Sequence, residues 1–73
     1  GGVVIYPNPT KDILNIATSR VQNVLITVYN TSGQLVVNET SEKVIDINHL
    51  ENGIYFMNVI VGDIVYIRKV IKQ

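Results

Sequence analysis

Apolar and polar positions alternate along most of this chain with a period of two. That is the repeat of a strand whose successive side chains point to opposite faces. Val3-Val4-Ile5-Tyr6 is a short apolar run that stops at Pro7-Asn8-Pro9. Neither proline can donate to a ladder, and each holds its predecessor extended. This segment is expected to be an edge strand or a docked extended arm. Residues 12–18 predict a second strand, with Leu14 and Ile16 on one face and Ile13, Asn15 and Ala17 on the other. Residues 23–30 predict a third, in which Val24, Ile26 and Val28 alternate with Leu25, Thr27 and Tyr29.

Asn30-Thr31-Ser32-Gly33 reads as a four-residue loop with Gly33 at positive φ. The chain then returns over residues 34–38, with Leu35 and Val37 expected inward. Residues 39–43 form a polar connection. Residues 44–47 predict a short strand that turns Ile45 and Ile47 inward, and residues 48–53 a bend whose Leu50 plugs one end of the core. Residues 54–61 and 64–71 are the strongest strands. Only Gly62-Asp63 separates them, so they predict a tight hairpin with a primed turn. In the first, Tyr55, Met57, Val59 and Val61 are expected inward. In the second, Val65 and Ile67 start inward, the alternation slips at Arg68-Lys69, and Ile71 faces the core beyond it; a β-bulge or a strand that changes sheet would absorb the slip.

This adds up to about seven short strands with no helical periodicity. Two packed antiparallel sheets let every alternating face meet another. The expected fold is all-β: a compact, immunoglobulin-like β-sandwich formed by residues 3–73, with Gly1-Gly2 a linker or a remnant of added sequence. The cysteine pair and tryptophan of antibody domains are absent, so the likeness is one of architecture.

Composition strengthens the all-β reading. Val and Ile supply 23 residues, against four Leu, one Ala and one Met. Branching at Cβ suits a pleated sheet better than a helix. With 73 residues and no cysteine, the domain has no disulfide or thiolate metal site to staple it. One core of this size gives about 3–5 kcal/mol of net stability, so nearly every Val and Ile must be used well. Six basic residues balance six acidic ones, which leaves no long-range field for nucleic acid. No apolar run approaches the roughly 18 residues needed to cross a bilayer as a helix.

The chemistry inventory is mostly negative, and neither catalysis nor a cofactor is expected. His49 is the single histidine and reads as a solvated loop residue. Ser19, Ser32 and Ser41 do not lie in a nucleophile elbow. Asp12, Asp46 and Asp63 fall at turns or strand ends, where short acids bond the local backbone. One asymmetry remains: the last 20 residues carry Arg68, Lys69 and Lys72 against Asp63 alone. The basic strand is either a gatekeeper against aggregation or a strand presented to a receptor.

Four motifs taken together point further. Tyr6-Pro7-Asn8-Pro9-Thr10 followed by Asp12-Ile13-Leu14-Asn15-Ile16 resembles the opening of the C-terminal sorting domain, type A, of the Bacteroidetes type IX secretion system. Val28-Tyr29-Asn30-Thr31-Ser32-Gly33-Gln34-Leu35-Val36 resembles that family's central hairpin. Ile45-Asp46-Ile47-Asn48-His49-Leu50 and Asn52-Gly53-Ile54-Tyr55-Phe56 resemble its Gly-x-Tyr block, and Arg68-Lys69-Val70-Ile71-Lys72 its basic-apolar ending.

The resemblance implies a non-catalytic label at the C-terminus of a larger passenger. The passenger would cross the periplasm, leave through the outer-membrane translocon, and be released or attached at the cell surface. A surface transpeptidase would remove the label. Within that picture Pro7 and Pro9 stiffen the junction to the passenger, and Pro7, Asn8 and Pro9 are candidate recognition residues. Gly33, Gly53, Tyr55 and Gly62 are structural, and Arg68, Lys69 and Lys72 are candidates for recognition of an acidic partner. The other readings are an accessory β-sandwich that binds glycan or protein and, more distantly, a small enzyme.

Overall fold

The computed structural model describes residues 2–19 and 23–73, so of the expected Gly1-Gly2 linker, Gly1 lies outside the described residues. Seven strands run in chain order: β1 (Val3–Tyr6), β2 (Ile13–Thr18), β3 (Val24–Asn30), β4 (Leu35–Thr40), β5 (Val44–Asp46), β6 (Gly53–Val61) and β7 (Ile64–Lys72). They form a three-stranded sheet in the order β1-β2-β5 and a four-stranded sheet in the order β4-β3-β6-β7. Every strand pairing is antiparallel. The expected two-sheet β-sandwich is what the chain forms.

The two sheets meet over one core. The smaller sheet contributes Val3, Leu14, Ile16 and Ile45, with Ile47 just beyond β5. The larger contributes Val24, Ile26, Val28, Tyr55, Met57, Val59, Val61 and Val70. All of these are buried, as the alternation required of β2, β3, β5 and β6. Leu50 packs against the cluster from the bend after β5, half-buried.

Turn chemistry sets the registers. The Asn30 carboxamide oxygen accepts from the backbone N–H of Ser32 (3.0 Å) and of Gln34 (2.9 Å), which closes the β3–β4 loop. Gly33 sits in it at φ +82°. In the β6–β7 hairpin Gly62 takes φ +64°, and among the described residues no non-glycine has positive φ. Positive φ at the first turn position alone is the II′ pattern, whose twist matches the flanking strands.

Three expectations about β7 and β4 are corrected. Val65 and Ile67 do not face the core: they are 56% and 61% exposed, and Ile71 stands opposite Ile54 on the same outer face. The expected slip at Arg68-Lys69 does not occur either. β7 pairs with β6 in unbroken register from Val61↔Ile64 to Gly53↔Lys72. That register places Ile64, Tyr66, Arg68, Val70 and Lys72 on the inner face, opposite the inward residues of β6. Hydrophobicity favoured Val65 and Ile67, but a two-residue turn fixes which residues stand opposite, and the turn prevails. The irregularity lies instead in β3–β4, which shifts register between Ile26 and Val28 and again between Val28 and Tyr29. Leu35, expected inward, stands opposite Tyr29 and is 48% exposed. Val36 and Val37 pack against the core in its place.

Candidate recognition surface

The first proline motif and the basic ending, 60 residues apart in sequence, meet at the outer edge of β7. β1 ends at Tyr6 as the edge of the smaller sheet. Pro7-Asn8-Pro9 then carries the chain across to the larger sheet, so the segment is an edge strand and a docked arm in succession. Both X-Pro bonds in it are cis. Along β7 the odd-numbered residues point their backbone groups away from β6. The Asn8 carboxamide takes up two of these groups: its nitrogen donates to the Lys69 carbonyl (2.9 Å) and its oxygen accepts from the Ile71 N–H (3.0 Å). Thr10 continues the pairing with its backbone, donating to the Ile71 carbonyl (2.9 Å) and accepting from the Gln73 N–H (2.8 Å). The result is a short parallel bridge between Thr10 and Lys72.

Thr10 is buried, and its hydroxyl donates to the Ile13 carbonyl at 2.6 Å. A hydroxyl buried without a partner would cost free energy, and this bond removes that cost while fixing the start of β2. Pro7, Asn8 and Pro9 themselves are exposed.

The three C-terminal cations have three different environments. Lys69 is exposed on the outer face, and no ion pair to it forms among the described residues. Arg68 is half-buried. Its guanidinium donates to the Ile67 carbonyl (3.1 Å) and lies 5.2 Å from the centre of the Tyr66 ring. Lys72 is turned inward and only 8% exposed, with its ammonium donating to the Asn52 carboxamide oxygen at 3.2 Å. A buried cation is expensive unless hydrogen-bonded, which makes the Asn52–Lys72 contact structural. The three side chains do not form one basic patch.

The Gly-x-Tyr block explains itself locally. Gly53 opens β6 at φ +149°, a backbone angle that side-chain-bearing residues rarely adopt, although a Cβ there would meet nothing within 4 Å. Tyr55, two residues on, is 6% exposed, and its hydroxyl donates to the Glu51 carbonyl at 2.5 Å. The ring fills the core while its oxygen ties down the preceding bend, the usual arrangement for a buried tyrosine.

The outer face of the larger sheet is the feature that sequence reasoning missed. Cross-strand rows run Leu25–Ile60–Val65, Thr27–Asn58–Ile67, Tyr29–Phe56–Lys69 and Ile54–Ile71, and Leu35 adjoins Tyr29. Leu25, Leu35, Ile54, Phe56, Val65 and Ile67 are all exposed large hydrophobes. The available signal was the hairpin turn: counting back from Gly62-Asp63 with Tyr55 inward puts Val65 and Ile67 on this face.

His49 is exposed in its bend. Among the described residues no three metal-ligating side chains come together and no cavity forms. No helix among them is long and apolar enough to cross a membrane.

No curated protein matches this chain. A family model, described as the secretion system C-terminal sorting domain, matches residues 4–73, from β1 through β7 and the Asn8 clip between them, and the chain belongs to that family of type IX secretion sorting domains.

Proposed function

We propose that residues 3–73 act as a non-catalytic address label that is read in the folded state. The passenger is N-terminal to β1. It transits the periplasm, leaves through the type IX outer-membrane translocon, and is then released or fixed at the surface after a transpeptidase removes the label. The family match over residues 4–73 carries this reading. Two physical features support it. One core draws on both sheets, so the label is a self-contained module. The arm that leads away from β1 is clipped to the last strand at Asn8 and Thr10, which ties the passenger-proximal end to the C-terminal end. Arg68 and Lys69, with Pro7, Asn8 and Pro9 beside them, are the contact residues proposed for the translocon. Lys72 belongs to the proposal only through its backbone, since its side chain is committed to Asn52.

The test is export of a reporter. Residues 3–73 fused behind a reporter that folds in the periplasm should bring it to the surface or the medium of a host with a compatible type IX system. A folded, stable fusion that stays in the periplasm, while a native label exports the same reporter in parallel, would sink the reading.

A further inference from the structure

Unpaired strand edges invite other strands, and folded proteins normally blunt them by shortness, proline, bulges or covering segments. This sandwich has four edge strands, and three carry such a device. β1 is four residues long and runs into Pro7. β5 has three residues. β4 is bent by its two register shifts against β3. β7 is different: it has nine residues in unbroken register, and the described residues cover its outer edge only at its C-terminal end. The Asn8 and Thr10 contacts close that edge from the Lys69 carbonyl to the Gln73 N–H. Above them, no described strand pairs with the outward backbone groups of Val65 and Ile67 or with the Lys69 N–H. The Ile67 carbonyl is occupied by the chain's own Arg68.

We propose that this open stretch, residues 65–69, accepts an extended acidic strand from a partner protein. The proposal deepens the export-label reading by giving the chemistry of the contact, and it rests on that reading for the partner's place in the export system. The side chains specify the sequence pattern. In strand addition, main-chain bonds give affinity and alternate side chains give specificity. Partner residues opposite Val65 and Ile67 would lie on the outer face beside these two exposed apolar side chains, at the ends of the Leu25–Ile60–Val65 and Thr27–Asn58–Ile67 rows, so they are apolar. Partner residues opposite Arg68 and Lys69 meet two cations that have no carboxylate partner among the described residues, so they are acidic. Binding hands the Ile67 carbonyl from the Arg68 guanidinium to the incoming N–H and frees that guanidinium for a carboxylate. An antiparallel partner would read acid-acid-apolar-x-apolar.

The experiment titrates the isotope-labelled chain with the peptide Thr-Glu-Glu-Val-Thr-Val-Thr and its lysine counterpart Thr-Lys-Lys-Val-Thr-Val-Thr, followed by amide NMR. The acidic peptide should shift residues 65–69 and their β6 neighbours and slow hydrogen exchange at the Val65, Ile67 and Lys69 amides. The lysine peptide should leave them unmoved. Ile67→Pro removes one outward donor and no bond to β6, so it should keep the fold and lose the binding. Lys69→Glu supplies a second variant and should weaken binding of the acidic peptide at least tenfold. Shifts centred elsewhere, an equal response to both peptides, or full binding by a folded Ile67→Pro chain would each overturn the proposal. In the reporter assay, export by the unaltered label with undiminished export by folded Lys69→Glu and Ile67→Pro labels would overturn strand addition and leave the label reading standing.

Discussion

The two faces of the four-stranded sheet are built from nearly the same residues and meet different fates. The inner face of β6 carries Tyr55, Met57, Val59 and Val61, all buried under the smaller sheet. The outer face of the same strand carries Ile54, Phe56, Asn58 and Ile60, of which Ile54 and Phe56 are exposed. Hydrophobicity does not separate the two sets. What separates them is that β1, β2 and β5 supply a cover for one face, while no described strand covers the other. An apolar side chain in a sheet this small is therefore a commitment to the core only if its phase points there. The out-of-phase ones stay exposed on the outer face, where clustered apolar side chains are the kind of feature that marks a contact surface.

The neighbouring aromatics Tyr55 and Phe56 test this contrast most sharply. Tyr55→Ala removes a nearly fully buried ring and its bond to the Glu51 carbonyl. Aromatic truncations in cores cost about 3–5 kcal/mol, and a core of this size supplies about that much in total. The variant should be largely unfolded at 37 °C by circular dichroism. An unchanged melting temperature would mean that the inner face is not the stabilising one.

Legibility followed contrast in the same way. In β3, Thr27 and Tyr29 mark one face as polar, and the buried set Val24, Ile26 and Val28 could be read at once. In β7 both faces carry branched apolar residues, so the period-two pattern has no contrast and does not define the phase. The phase follows instead from the two-residue turn at Gly62-Asp63, which sets Val61 opposite Ile64. Leu35 failed for a related reason: the β3–β4 shifts exchange faces within a few residues, and no residue pattern announced them. The Asn8 clip was out of reach of periodicity altogether. It is a side chain standing in for a strand, and its partners are 61 and 63 residues away. The seven strands and two sheets were legible because turn residues and alternation are local. The recognition surface was not, because it depends on which edges are left uncovered.

The comparison extends to the two halves of β7, one clipped and one open. Asn8→Ala deletes both carboxamide bonds to the strand. Each is worth about 0.5–1.5 kcal/mol at most, and because the site is exposed water replaces part of it. The expected loss is about 1 kcal/mol. The diagnostic readout is local: the Ile71 amide, which donates to Asn8, should exchange faster, while the core amides of β3 and β6 keep their order of protection. Unaltered exchange at Ile71 would mean that the arm does not guard the edge.

The smallest effect is expected on the outer face, and there the sign is informative. Phe56 is 38% exposed and stands between Tyr29 and Lys69 in the cross-strand rows. Replacing it with threonine keeps a residue that suits a strand and leaves no cavity in the core, because the ring does not reach the core. Part of the ring is still covered by its neighbours, so some apolar burial is lost, at about 25 cal/mol for each Å² returned to water. Weighed against the retained strand preference, the net change should stay under about 1 kcal/mol, and the melting temperature should move far less than in Tyr55→Ala. What should change is association. An exposed apolar row favours contact with any other apolar surface, so Phe56→Thr should reduce concentration-dependent self-association in sedimentation runs. The same replacement in a reporter fusion should lower export if the face takes part in docking beside the open edge. A Phe56→Thr chain as unstable as Tyr55→Ala would erase the distinction between the faces and place a second core where the sheet is drawn as open.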